Sequence, residues 1–277
     1  MDAPELKKIL HAVEGIAQEA GAEIMKHYAG TAIYTKDDGS LVTDADHASE
    51  KIILSRLQKL TPDIPIVSEE RSAAGDVPDV TAGTFWTVDP LDGTQEFVDK
   101  TGGFVVAIAL IVDHTPVMGI LYHPVTGVTY SGMGPGTATK VDAAGTRMPI
   151  TAGAAPSGDL HVLVKNNADI KGIRGYLTHQ FNKAASIDEM GGAILASQIA
   201  DSSADMAVVF PLRRNGRTKW WDVAPGQALV EATGGRVEDL DGKPLVYDAN
   251  DLQVPPHVMM APHQARAVVS KPSQNRP

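Results

Sequence analysis

A layered α/β fold in two halves is encoded in the changes of rhythm along this 277-residue chain. Residues 1–60 carry two amphipathic helical stretches. From Ile64 to Met133, apolar runs are separated by turn dipeptides, the pattern of a mostly antiparallel sheet. From His161 onward, short apolar strands alternate with helical stretches, which requires a second α/β layer.

The first helix is marked by Leu6, Leu10, Val13, Ala17, Ala20 and Ile24, spaced three and four apart in one apolar stripe. Asp2 and Glu5 form a capping-box pattern, and Pro4 suits a first turn. A second helix is expected after Thr43, with Ala45, Ala48, Ile52, Leu57 and Leu60 inward, ending at Thr61-Pro62. Strands follow at Ile64–Val67 and Thr84–Val88. "FVVAIALIV" and "PVMGILYHP" form a hairpin around residues 113–115, and "GVTYSGM" adds another strand. In the second half, strands are expected at His161–Val164, Ala184–Ile187, Met206–Phe210 and "RVEDL". Helices are expected at Ile170–Phe181, Ala193–Ala200 and Val223–Thr233, the last ended by two glycines. The small-residue stretch "TAGAAPSG" separates a half at 1–150 from a half at 151–265, with 266–277 as a disordered tail.

Composition narrows the function. Net charge is −10, which argues against a nucleic-acid surface. It permits a small anionic substrate if cations supply local positive charge. There is no cysteine, which removes disulfide, thiolate and Cys-zinc chemistry and fits a reducing, cytoplasmic setting. No apolar run reaches membrane-spanning length.

Four acidic signals stand out. "VDPLDGT" places Asp89 and Asp92 three apart, followed by Gly93 and Thr94. By itself this is also a good turn. "SEE" places Glu69 and Glu70 after a strand, where they could be a solvated loop. "TDAD" places Asp44 and Asp46 at a helix start, and "WWDVAPG" places Asp222 at another; either could be only a cap. Together they have a chemistry that none has alone. Hard oxygen donors from several strand-end loops suit Mg²⁺ with substrate phosphate. Asp89 and Asp92 could share ions, with the Leu91 carbonyl as a further ligand. The N–H groups of Gly93 and Thr94, opening a helical turn, could hold a phosphate oxygen.

These segments resemble a known family. "VDPLDGTQEF", "WWDVAPGQALVEATGG", "KDDGSLVTDAD" and "SEE" are similar, in order, to the signatures of the lithium-sensitive, Mg²⁺-dependent inositol monophosphatase superfamily. The resemblance implies a five-layer α/β/α/β/α sandwich and a phosphomonoesterase. It implies one ion on Glu69, Asp89 and Leu91 and a second on Asp89, Asp92 and Asp222. Glu69 and Thr94 would position the attacking water, and Asp46 would help hold a third ion. Leu91, Asp92, Gly93, Thr94 and Asp222 would meet the substrate. A homodimer is common in the superfamily. "DGTQEF" and the hairpin after it most resemble the 3′(2′),5′-bisphosphate nucleotidase branch, which implies hydrolysis of adenosine 3′,5′-bisphosphate to AMP. Gln95 stands where that branch carries lysine, and Gly191–Leu195 lacks the serines and lysine of its G-S-S-[LI]-K segment. Arg213, Arg214, Arg217 and Lys219 form a basic run that could meet a second phosphate. An inositol or sugar monophosphate phosphatase is the alternative, and a catalytically silent metal-binding relative is a third reading.

Overall fold

The computed structural model describes residues 2–151, 159–166, 168–181, 185–210, 218–248 and 251–269. The elements run α1 (Ala3–His27), β1 (Ile33–Thr35), β2 (Leu41–Thr43), α2 (Asp44–Leu60), β3 (Ile66–Ser68), α3 (Glu69–Ala73), β4 (Phe85–Asp92), α4 (Thr94–Val98), β5 (Val105–Val112), β6 (Thr115–His123), β7 (Val128–Gly132), β8 (Thr139–Val141) and β9 (Arg147–Pro149). The second half continues with β10 (Leu160–Lys165), α5 (Ile170–Phe181), β11 (Ala185–Met190), α6 (Ile194–Ala200), β12 (Met206–Val209), α7 (Trp220–Ala232), β13 (Arg236–Asp239), β14 (His257–Met260) and α8 (Pro262–Val269). Among the described residues, no helix is long and apolar enough to cross a membrane.

Seven strands form one sheet in the order β3-β4-β5-β6-β7-β8-β9. Only β3 and β4 pair in parallel, so their C-terminal ends leave the same edge together. Side chains alternate across each strand. Trp86, Val88, Val106, Ile108 and Leu110 pack under α1 and α2 with Ile24, Ile53 and Leu57. Phe85, Val105, Ala107, Ala109 and Ile111 face the other way, onto α6 and α7 with Leu195, Ile199 and Leu229. Covering both faces with helices explains why "FVVAIALIV" is apolar at every position instead of at alternate ones.

The second sheet has the order β11-β10-β12-β14-β13. Leu163, Ala207, Val237 and Met259 join the α6–α7 core. Val162, Val164, Met206, Val208 and Val258 face α5 through Ile173 and Leu177, and α8 through Ala265. The stack is therefore α1/α2, seven-stranded sheet, α6/α7, five-stranded sheet, α5/α8, a five-layer sandwich as expected.

Four details differ from the sequence expectation. In α2 the buried isoleucine is Ile53, with Ile52 only partly covered, because the helix rolls Ser49 and Glu50 inward beside it. The strand expected to end at Val88 continues to Asp92. Its pairing with β5 shifts between Asp89 and Asp92, where Pro90 cannot donate to the ladder. β14, which reading from sequence missed, inserts between β12 and β13; its short Met-rich "HVMM" is recruited by antiparallel neighbours rather than by its own pattern. Helix α8 runs past residue 266; residues 270–277, read as a tail, and 152–158, read as the boundary, lie outside the described residues.

The seat of α7 matters most to the site, because α7 carries Asp222. A Cβ on Gly119 of β6 would stand 2.1 Å from the Pro225 carbonyl oxygen, and one on Gly132 of β7 would stand 2.6 Å from the Ala232 Cβ. Only glycine at these positions lets the helix backbone lie on the sheet. Gly119→Ala is expected to destabilise the protein by about 1–3 kcal/mol through forced separation of α7 from β6. Gly15→Ala, on α1 with open space around it, should instead be neutral or stabilising. Thermal melting of the two variants against the parent checks this; equal melting temperatures would contradict the packing argument.

Candidate active site

Five segments converge at one edge of the sandwich. Glu69 leaves β3, Asp89 and Asp92 lie in β4, Lys165 ends β10, Gly191 and Gly192 follow β11, and Asp222 opens α7. All of them line a cavity of about 400 Å³, together with Leu91, Gly93 and Thr94. Strand ends at one edge are where sheet proteins build sites.

The local chemistry of each segment explains its position. Asp89 Oδ1 accepts from the Leu91 N–H at 3.0 Å, which folds the chain back over Pro90. The Pro90 carbonyl accepts from Ser49 Oγ of α2 at 2.7 Å. Gly93 takes φ +96° at the start of α4, and a Cβ there would meet the Gly103 carbonyl oxygen at 2.9 Å. Asp92 Oδ2 accepts from the Ala193 N–H. That contact needs Gly192, since a Cβ there would stand 1.8 Å from the same oxygen. The "GGAIL" segment thus holds Asp92 with its backbone. Asp222 is the third residue of α7, not a residue just before it as the expected start at Val223 implied. Its Oδ2 accepts from the Lys219 N–H at 3.4 Å, turning the carboxylate back toward the helix start and the cavity.

Asp89, Asp92 and Asp222 each offer a carboxylate oxygen lying within 4.8 Å of the other two. The donors are all hard oxygens with no nitrogen or sulfur among them, which fits a hard divalent cation. Glu69 stands beside Asp89 and, with Leu91, lines the same cavity.

Two lysines partly offset this charge. Lys36 Nζ lies 2.7 Å from both Glu69 Oε1 and Glu70 Oε1. Lys165 Nζ lies 3.3 Å from Asp222 Oδ2. Burial pushes both ammonium groups toward neutrality, and the surrounding carboxylates outweigh it, so each is held above its ordinary value. The carboxyls shift upward. Burial, then Glu69 and Asp92, holds Asp89 well above the usual range. Burial, then Asp222, pushes Asp92 up to about 7 against the pull of Lys165. Burial, then Glu69, pushes Glu70 up to about 7.

Asp46 is placed differently from the other expected residues. It is buried in the first turn of α2, with Oδ2 accepting from the Thr43 N–H at 2.8 Å and Oδ1 accepting from Thr94 Oγ at 3.1 Å. It stands behind Thr94, away from the cavity wall. Of the basic run, Arg213, Arg214 and Arg217 lie outside the described residues. Lys219 lines a neighbouring cavity of about 300 Å³, which shares Ser40, Glu69 and Asp222 with the first, and its Nζ rests on the Asp251 carbonyl at 3.2 Å. Reading from sequence missed Lys165 and the pair formed by Glu96 and Asn166, joined at 2.8 Å on the same wall. A lysine at the end of an apolar strand, "HVLVK", was the available signal for the first.

The sequence profile of the inositol monophosphatase family matches residues 5–273. The chain belongs to the inositol monophosphatase family. The 3′(2′),5′-bisphosphate nucleotidase CysQ of Escherichia coli K12 is 36% identical over 235 residues, 84% of this chain and 91% of that protein. The enzyme of the same name from Aggregatibacter actinomycetemcomitans is 32% identical over 91% of this chain and 92% of its own length. Among solved structures, CysQ from Bacteroides thetaiotaomicron superimposes with a TM-score of 0.75 at 26% identity, covering 92% of this chain and 97% of that one. The inositol monophosphatase of Thermotoga maritima shares the fold at 20% identity, with a TM-score of 0.73, over 95% of each chain. Family membership makes this chain a phosphatase.

The raised carboxyl values make a testable statement about stability. Asp92, at about 7 when folded against an ordinary 3.8, favours its protonated form in the native state. The stability this supplies is complete below about pH 4 and is lost as pH rises through about 7. A divalent cation held by this cluster would bind its deprotonated form, so the stabilisation it gives would grow over the same window. Millimolar Mg²⁺ is expected to raise the melting temperature by several degrees at about pH 8 and by little at about pH 5. A shift that is equal at both pH values would contradict the carboxylate cluster as the binding site.

Proposed function

We propose that this phosphatase is a Mg²⁺-dependent 3′(2′),5′-bisphosphate nucleotidase that converts adenosine 3′,5′-bisphosphate to AMP and phosphate. The observation carrying the catalytic part is the meeting of Asp89, Asp92 and Asp222 in the same cavity as the Gly93-Thr94 start of α4. The substrate follows the relatives named above, at up to 36% identity over most of the chain.

Glu69, Asp89, the Leu91 carbonyl, Asp92 and Asp222 would hold the Mg²⁺. Bound there, the metal would supply positive charge against the phosphate and make a nearby water more acidic. The chain's own groups do the rest. Thr94 donates its hydroxyl to Asp46 Oδ1, which turns an oxygen lone pair toward the cavity to accept a hydrogen bond from the attacking water. Asp46 accordingly orients Thr94 instead of holding a third ion. Glu69, kept in place by Lys36, faces the same water and takes up its proton. The N–H groups of Gly93 and Thr94 hold a non-bridging phosphate oxygen. The water oxygen forms the new bond to phosphorus, the ester P–O bond breaks, and the ribose oxygen departs to take up a proton.

One observation favours a second reading. Glu96 and Asn166 present a carboxylate and an amide on the same wall as Gly191. These groups suit the hydroxyls of a polyol, and Glu96 opposes a second phosphate. An inositol or sugar monophosphate is therefore the competing substrate.

Phosphate release at fixed Mg²⁺ should give adenosine 3′,5′-bisphosphate the highest kcat/KM in a panel with AMP, inositol 1-phosphate and sugar phosphates. A polyol phosphate ahead by about tenfold, a difference of ~1.4 kcal/mol, reverses the assignment. Asp92→Asn, with an unchanged circular dichroism spectrum, should lose at least about 100-fold in turnover on every substrate. Turnover within threefold of the parent would remove Asp92 from the mechanism.

A further inference from the structure

Lys165 has no role in the mechanism above, yet it stands among the groups that do. Its backbone is fixed by parallel pairing of β10 with β11 on one side, where Lys165 registers with Met190, and with β12 on the other. Its side chain reaches past the strand end, and Nζ meets Asp222 Oδ2 at 3.3 Å. Asp222 is one of the three carboxylates that gather within 4.8 Å. Among the described residues lining the cavity, Lys165 is the only cationic one, set against Glu69, Asp89, Asp92, Glu96 and Asp222. Lys36, the other cation nearby, is bound at 2.7 Å to two carboxylates at once and lies behind Glu69. An ammonium has three protons to donate, and Asp222 takes one of them at the long end of hydrogen-bond distance.

We propose that Lys165 is a resident counter-ion of the acidic cluster: its ammonium weakens divalent-cation binding at the Asp222 corner and gives the substrate phosphate a contact that needs no metal. This rests on the reading of the cluster as a divalent-cation site. The physical reason is charge balance. A fixed positive charge beside Asp222 repels an incoming cation and attracts an incoming phosphate. Removing it therefore moves the two affinities in opposite directions, and that separates this role from a structural one. Loss of packing or of a tether on Asp222 would weaken both.

The test is a titration of the purified, metal-free, full-length protein with Mn²⁺, followed by electron paramagnetic resonance without substrate. A second titration measures inorganic phosphate binding at saturating Mn²⁺ by calorimetry. Lys165→Met keeps the length of the side chain and removes the charge. It is expected to bind Mn²⁺ about tenfold more tightly and phosphate about tenfold more weakly, ~1.4 kcal/mol in each direction. Lys165→Gln, a polar neutral replacement, should show the same pair of shifts, so the result does not depend on how well methionine is tolerated. Lys165→Arg should keep Mn²⁺ affinity within about threefold of the parent. Mn²⁺ affinity unchanged or weaker in both neutral variants would overturn the proposal while leaving the cation site intact. A parent protein that binds no Mn²⁺ at all would overturn the cation reading and this inference with it.

Discussion

Mutual repulsion among buried carboxylates is the constraint around which this structure is organised. Asp89 and Asp92 are almost wholly inaccessible to solvent, and Glu69 and Asp222 lie beside them. Two buried carboxylates with two partly buried ones beside them oppose folding unless protons or cations relieve them. The surroundings supply partial relief from several directions: the Leu91 N–H to Asp89, the Ala193 N–H to Asp92, Lys36 to Glu69, and Lys165 to Asp222. Burial still dominates at Asp89 and Asp92, and their carboxyls remain biased toward the protonated form. A cluster left short of positive charge in this way is built to take more of it from outside.

Holding that cluster together is work shared by both halves of the chain. Asp89 and Asp92 come from the seven-stranded sheet, Lys165 from the five-stranded sheet, and Asp222 from the helix layer between them. The close fits are made of glycine. Gly119 and Gly132 admit α7, and Gly192 admits the Asp92 carboxylate to the Ala193 N–H. Side chains at Gly119 or Gly132 would act at a distance, by moving the helix that carries Asp222, whereas one at Gly192 would displace the Asp92 carboxylate directly. The site's geometry therefore depends on the layer packing, and its charge on residues that approach from different layers.

Much of this was legible in the sequence, for reasons that are physical. The stripe from Leu6 to Ile24 and the run from Phe104 to Val112 have the periods of an amphipathic helix and a doubly covered strand, and both formed. The α5 helix has the bounds that its pattern predicts, Ile170–Phe181. Asp89, Asp92, Gly93 and Thr94 were readable because chemistry and spacing coincide within one short segment. Other features are products of tertiary structure alone. Glu70 reads as a solvated loop residue, but the fold buries it against Lys36. Asp46 reads as a ligand or a cap, and the fold makes it both the capping-box partner of Thr43 at the start of α2 and the partner of Thr94. Lys165 becomes visible only once β10 is laid beside α7, and β14 only once β12 and β13 leave a gap for it.

The central claim is that the carboxylates of Asp89, Asp92 and Asp222 form a divalent-cation site at the junction of the two sheets. Anomalous diffraction from a crystal of the protein grown with Mn²⁺ tests it most directly. The account predicts a strong anomalous peak within bonding distance of oxygens from Asp89 and at least one of Asp92 and Asp222. A well-ordered site with no peak there, at saturating Mn²⁺ and neutral pH, would contradict it.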